Sequence, residues 1–151
     1  MRTLITLLFV CSLTQVFSQA EAIRKEHYNL YKSVALSGYD PVSYFEGKPK
    51  EGNPEIKVTI KGVTYQFASV VTLNKFKATP DAYEPAYGGW CAYAMGDSGE
   101  KVKVDPETYK ILNGRLYLFY NFWGNNTLTD WNENENKLKA AGDHNWSRIV
   151  Q

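Results

Sequence analysis

Cysteine is almost missing from this chain: Cys11 and Cys91 are the only two in 151 residues. A scaffold held by several disulfides is therefore excluded. Histidine is equally scarce, with only His27 and His144, and they form neither a His-x-x-x-His spacing nor part of a Ser/His/Asp order. No block of five or more basic residues exists and the net charge is +1, which argues against nucleic-acid binding through a broad cationic face. The longest apolar stretch, residues 4–13, is too short to span a membrane. Gly88-Gly89 lacks the further glycines and the lysine of a phosphate-binding loop.

Aromatic residues, by contrast, are plentiful. Eleven Tyr, seven Phe and four Trp make up 15% of the sequence, enough to stabilise a small core through large buried areas or to line a ligand site. The length suits one domain. A hydrophobic share of 44% permits a packed core, so wholesale disorder is not expected.

The N-terminus reads as an export signal. One positive charge at Arg2 precedes the apolar run, and Val16 and the small Ser18 stand at the −3 and −1 positions, predicting cleavage between Ser18 and Gln19. Lipid attachment at Cys11 is disfavoured because Val10 is not small. Residues 1–18 are thus a signal peptide and the mature protein is secreted or periplasmic. Loss of Arg2 leaves 16 basic residues against 16 acidic ones. One cysteine, Cys91, and one methionine, Met95, remain, so no intramolecular disulfide can form.

Residues 19–34 are mixed and charged and read as a lead-in to a domain over 35–150. Residues 55–60 alternate polar and apolar, Lys61-Gly62 makes a two-residue turn, and 63–67 alternate again: a hairpin. Ser69 is placed to cap a helix carrying Val70, Leu73 and Phe76, which Pro80 ends. A second hairpin turns at Asn113-Gly114, a pair suited to a type I′ turn. A polar helix is expected over about 127–141, stopped by Gly142, with Trp131 and Leu138 on its inner face; Asp143 would then cap a last short helix. No repeats appear in the linear sequence. The expected fold is α+β: a small antiparallel sheet built from two hairpins with helices packed against it.

Several short motifs occur in order: Gly38-Tyr39-Asp40-Pro41-Val42-Ser43-Tyr44-Phe45, then Gly62-x-x-Tyr65-x-Phe67-Ala68-Ser69, then Phe76 with Pro80 and Tyr83. Tyr87-Gly88-Gly89-Trp90-Cys91-Ala92, Asp105-Pro106, residues 113–118 and a closing Trp146 follow. Together they resemble the exported bacterial YHS-domain proteins, from about Ala35 to Ile149. The resemblance implies a YHS-like fold and, in the branches attached to metal transporters and monooxygenases, metal sensing or handling. Those branches carry Cys where Ser43 and Ala68 stand here, so a thiolate site of that type does not transfer to this chain.

Within this frame the candidate ligand-binding residues are Tyr87, Trp90, Cys91, Tyr93 and Asp40. Cys91 has two readings: a reactive thiolate, redox sensor or soft-metal ligand, or a small buried hydrophobe among Trp90, Ala92 and Tyr93. No residue from Tyr87 to Met95 is basic, as an activated thiolate would require. Cys91 and Met95 stand four apart and would share a helical face, a thiolate–thioether pair suited to Cu(I), with His27 or His144 as a third ligand. Asp40 reads as the cap of a turn, or as a catalytic carboxylate with Asp105. The functional expectation is a non-enzymatic binding module for an unknown small ligand, with copper at Cys91 and Met95 as its sharper form. The alternatives are a thiol-based redox enzyme using Cys91 and a purely structural or interaction domain.

Overall fold

The computed structural model describes residues 19–151; residues 1–18, where the sequence leads us to expect an export signal and which include Cys11, lie outside the described residues. Helix α1 covers residues 19–27, and two short strands follow, β1 (Leu30–Tyr31) and β2 (Val34–Ala35). The segment read as a lead-in is therefore built into the body. The Arg24 guanidinium reaches Glu84 at 2.6 Å and the Lys61 carbonyl at 3.1 Å, and the Trp90 indole donates to the His27 carbonyl at 2.6 Å.

The first hairpin pairs β3 (Asn53–Ile60) with β4 (Val63–Phe67), turning where predicted at Lys61 and Gly62, both with positive φ. It joins β1 and β2 in a four-stranded sheet of order β1-β2-β4-β3, in which β2 runs parallel to β4. The second hairpin, β5 (Asp105–Leu112) with β6 (Arg115–Phe119), turns at Asn113-Gly114 with φ of 50° and 74°, as a type I′ turn demands. It forms its own two-stranded sheet, so the fold is α+β but the two hairpins do not share one sheet. A third, very short hairpin, β7 (Asn121–Phe122) with β8 (Asn125–Asn126), turns at Trp123-Gly124.

Helix α2 (Val70–Ala78) begins at the expected Ser69, whose hydroxyl accepts from the Thr72 amide while the Thr72 hydroxyl accepts from the Ser69 amide. Its apolar knob, Phe76, is fully buried against Tyr65 and Phe67, with ring centroids 4.7 and 5.2 Å away. Helices α3 (Pro80–Tyr83) and α4 (Ala92–Asp97) are short.

The C-terminal helices depart from the sequence reading. The chain forms α5 (Thr127–Glu133), breaks at Asn134, then runs through Gly142 in α6 (Glu135–Ile149). Trp131 and Leu138 are both buried, on different helices. Gly142 does not end a helix; it clears space, since a Cβ there would stand 2.8 Å from the Tyr87 hydroxyl. Asp143 is no cap but lies within α6, paired to Lys139 at 2.6 Å and accepting from the Tyr87 hydroxyl at 3.1 Å.

Two apolar clusters result. The first gathers Tyr44, Val63, Tyr65, Phe67 and Phe76 with Leu116 and Leu118 of β6. The second gathers Tyr117 and Phe119 of the same strand with Met95, Trp131 and Leu138. Because side chains alternate along a strand, β6 feeds both clusters, one from each face.

Candidate functional site

The residues singled out in the sequence fall into three places. Asp40 is fully buried and occupied. One carboxylate oxygen accepts from the Val42 amide and the other from the Ala68 amide, both at 2.9 Å. Ser43 completes the knot: its hydroxyl donates to the Asp40 carbonyl at 2.6 Å and accepts from the Lys50 amide at 2.9 Å. Asp105 makes the same kind of turn, accepting from the Glu107 amide and the Thr108 hydroxyl. Both aspartates are thus engaged as turn anchors.

Tyr87 is buried at φ 53°, its hydroxyl shared between the Lys139 carbonyl and Asp143. Burial, then the charge of Asp143, pushes its phenol well above the usual range. Trp90 packs toward the second cluster and donates to His27, whose Nδ1 accepts from the Lys101 ammonium at 2.6 Å. An ammonium has no lone pair, so that ring nitrogen carries no proton in this contact.

Cys91 precedes α4 with extended rather than helical backbone and is wholly buried. The Tyr120 amide donates to its sulfur at 3.4 Å, and the Thr127 hydroxyl lies 3.4 Å from it. That hydroxyl donates its one proton to the Tyr120 carbonyl at 3.1 Å, leaving its oxygen to accept from the S–H. The ring of bonds is complete with a neutral thiol. Met95 belongs to the second cluster while Cys91 belongs to the first. Among the described residues no group of three His, Cys, Asp or Glu is gathered to hold a metal ion.

Over Cys91 lies a depression of about 270 Å³ whose lining includes Tyr93, Tyr120, Asp97, Glu100, Asn125 and Thr127, and, among the described residues, no basic one. Helix α4 supplies Tyr93 and Asp97, the chain between β6 and α5 supplies Tyr120 and Asn125, and the first residue of α5 is Thr127. Across Tyr93 and Asp97 the surface continues into a second depression of about 330 Å³ holding Asp130, Glu133 and Lys137. The negative field is felt at Tyr93, whose phenol is pushed up chiefly by the charge of Asp97, with burial and Asp130 adding. Of the sequence candidates, the structure brings Cys91 and Tyr93 to this depression; Tyr87, Trp90 and Asp40 do not line it. Tyr120, Asn125 and Thr127 went unnoticed in the sequence because they reach Cys91 only through the pairing of β6 with the segment before α4.

Comparison with models of known protein families, with curated proteins and with solved structures found no match to this chain. Among the described residues, no helix is long and apolar enough to cross a membrane.

Proposed function

We propose that the protein is an exported, non-enzymatic binding module of the YHS type, and that its ligand is a small organic cation received in the depression over Cys91. The observation that supports this reading is the lining itself: two tyrosines and two carboxylates with no base among them. A cation gains about 0.5–1 kcal/mol over an aromatic face at an exposed site. Carboxylates at the rim add an attraction that salt weakens. A dissociation constant on the order of 1 mM is the expected strength. The copper and thiol-redox readings draw no support from the geometry, since Cys91 is hydrogen-bonded as a neutral thiol in acidic surroundings and Met95 packs in a separate cluster.

The test is a titration of isotope-labelled protein with choline, followed by amide chemical shifts, against 3,3-dimethylbutanol as the uncharged analogue of the same shape. Choline should give saturable shifts at Tyr93, Tyr120 and Asn125 that shrink at high salt. Equal shifts from the uncharged analogue, or none from choline, would overturn the reading.

A further inference from the structure

Residues 34–67 and 85–119 make the same contacts in the same order. Val34 pairs in parallel with Thr64, and Pro85 pairs in parallel with Leu116. Three successive residues then take positive φ: Leu36, Ser37 and Gly38 at 57°, 54° and 90°, against Tyr87, Gly88 and Gly89 at 53°, 59° and 86°. A bond closes each turn, from the Tyr39 amide to the Leu36 carbonyl at 3.0 Å and from the Trp90 amide to the Tyr87 carbonyl at 3.1 Å. The next residue donates 2.9 Å to a distant carbonyl in both cases, Asp40 to Lys50 and Cys91 to Val102.

The hairpins coincide as closely. Asn53 faces Phe67 and Lys57 faces Gln66 across a bulge; Asp105 faces Phe119 and Tyr109 faces Leu118 across a bulge. Asn53 accepts from the amide two residues on at 2.9 Å, as Asp105 does at 3.0 Å. Pro54, Glu55, Gly62, Tyr65 and Phe67 recur as Pro106, Glu107, Gly114, Tyr117 and Phe119, each 52 positions later. A capped helix follows each hairpin and drops one large aromatic onto the recurring pair. Phe76 lies 4.7 and 5.2 Å from Tyr65 and Phe67; Trp131 lies 5.6 and 5.5 Å from Tyr117 and Phe119.

Type I′ hairpins are common enough to arise twice by chance. A run of three left-handed residues, of which Leu36, Ser37 and Tyr87 are not glycine, is not favoured anywhere by local energetics. Its recurrence at the same place before the same hairpin and helix calls for a common cause. We infer that the chain is two copies of one folding unit, over 34–78 and 85–133, and that Cys91 is the second copy's counterpart of Asp40.

The pairing assigns Cys91 a task. In the first copy, the Asp40 carboxylate accepts from the amide of Ala68, just past the hairpin. In the second, the Cys91 sulfur accepts from the amide of Tyr120, the residue 52 positions after Ala68. The sulfur therefore anchors the start of α4 to the end of β6, in place of a carboxylate. Residues 121–125, most of the β7–β8 hairpin, are an insertion: the first copy goes from Ala68 directly to its helix cap at Ser69, whereas the second goes from Tyr120 through these five residues to its cap at Asn126. The acidic depression sits where the second copy departs from the first. The anchoring role stands whether or not that depression takes a ligand.

Native-state amide exchange of the full-length mature chain tests it without any ligand. Cys91→Val and Cys91→Ala should speed exchange of the Tyr120 amide at least tenfold relative to the Leu118 amide, while Cys91→Ser, which restores an acceptor, should hold it near the wild-type rate. Asp40→Ala should do to the Ala68 amide what Cys91→Ala does to Tyr120. Wild-type protection of Tyr120 in Cys91→Val would show that the sulfur only fills space and would overturn the assignment. If Cys91→Ala does not fold, the valine and serine variants alone decide.

Discussion

At the scale of single residues, the chain relies on buried acceptors for backbone N–H groups. Asp40 satisfies two of them while fully enclosed. Each buried donor left without a partner costs about 1–3 kcal/mol. Asp40→Ala should therefore destabilise by roughly 2–5 kcal/mol, and Asp40→Asn, which keeps one oxygen, by less. Chemical denaturation of the two variants checks this, and equal losses would mean that only one of the two bonds matters. The thiol makes a second test. Enclosed and neutral, Cys91 should resist thiol reagents in the native state and react only as the protein unfolds; rapid labelling of folded protein would contradict the bond pattern drawn here. Asp40 was legible in the sequence because Asp-Pro announces a local turn. The place of Cys91 was not, because its donor, Tyr120, lies 29 residues away and reaches it through strand pairing.

Among the elements, the two glycines of α4 and α6 show why helix boundaries were harder to read than hairpins. Both hairpins turn where the sequence places them, because positive φ is a local demand that Asn-Gly and Lys-Gly meet. Gly142 reads as a stop by the same local logic, yet its reason is tertiary: Tyr87 is packed where a methyl group would go. Gly142→Ala should gain helix propensity of about 1 kcal/mol and still lose roughly 1–3 kcal/mol net from overpacking. Gly96→Ala should cost more, since its Cβ would stand 2.4 Å from the Leu138 carbonyl oxygen, and a helix backbone yields less easily than a side chain. Gly114→Val isolates the other cause. Among the described residues nothing lies within 4 Å of a Cβ built at that position, so a loss on the order of 1–3 kcal/mol there would be purely conformational. Thermal melts of the three rank the effects, and a Gly142→Ala protein more stable than wild type would refute the packing argument.

For the whole molecule, tyrosine sets the alkaline limit. Burial raises the phenols of Tyr28, Tyr44, Tyr65 and Tyr87, Tyr28 to about 12 and the others further. The fold thus favours the neutral phenol, while an unfolded tyrosine ionises near 10. The stability these groups confer is complete below pH 10 and drains away as pH rises from there through about 12. Phenolate absorbance and near-ultraviolet circular dichroism, followed together, should change in one step for these four. Full ionisation near pH 10 with the fold intact would show that they are not enclosed. The α+β class was readable from hairpin and helix signals. The doubling of the unit was not, since the matched positions are few and their spacing shifts by one residue between the turn and the hairpin.

The two faces of β6 carry a consequence for assembly. Leu116 and Leu118 seat the second copy on the first copy's core, and the residues in their places in the first copy are Thr64 and Gln66. Back-to-front stacking of this sort joins two different faces, so each added layer would present a fresh face to the next unless the rotation closes a ring. The polar pair, with Lys32 and Lys57 beside it, terminates the column at one end. At the other end Leu138 of α6 lies on the second cluster and closes it. Making the first copy resemble the second, with Thr64→Leu and Gln66→Leu together, would turn a finished end into an adhesive one. Sedimentation of that double variant should reveal concentration-dependent growth of chains that the wild type does not form; a strictly monomeric double variant would mean that the lysines alone suffice as the stop.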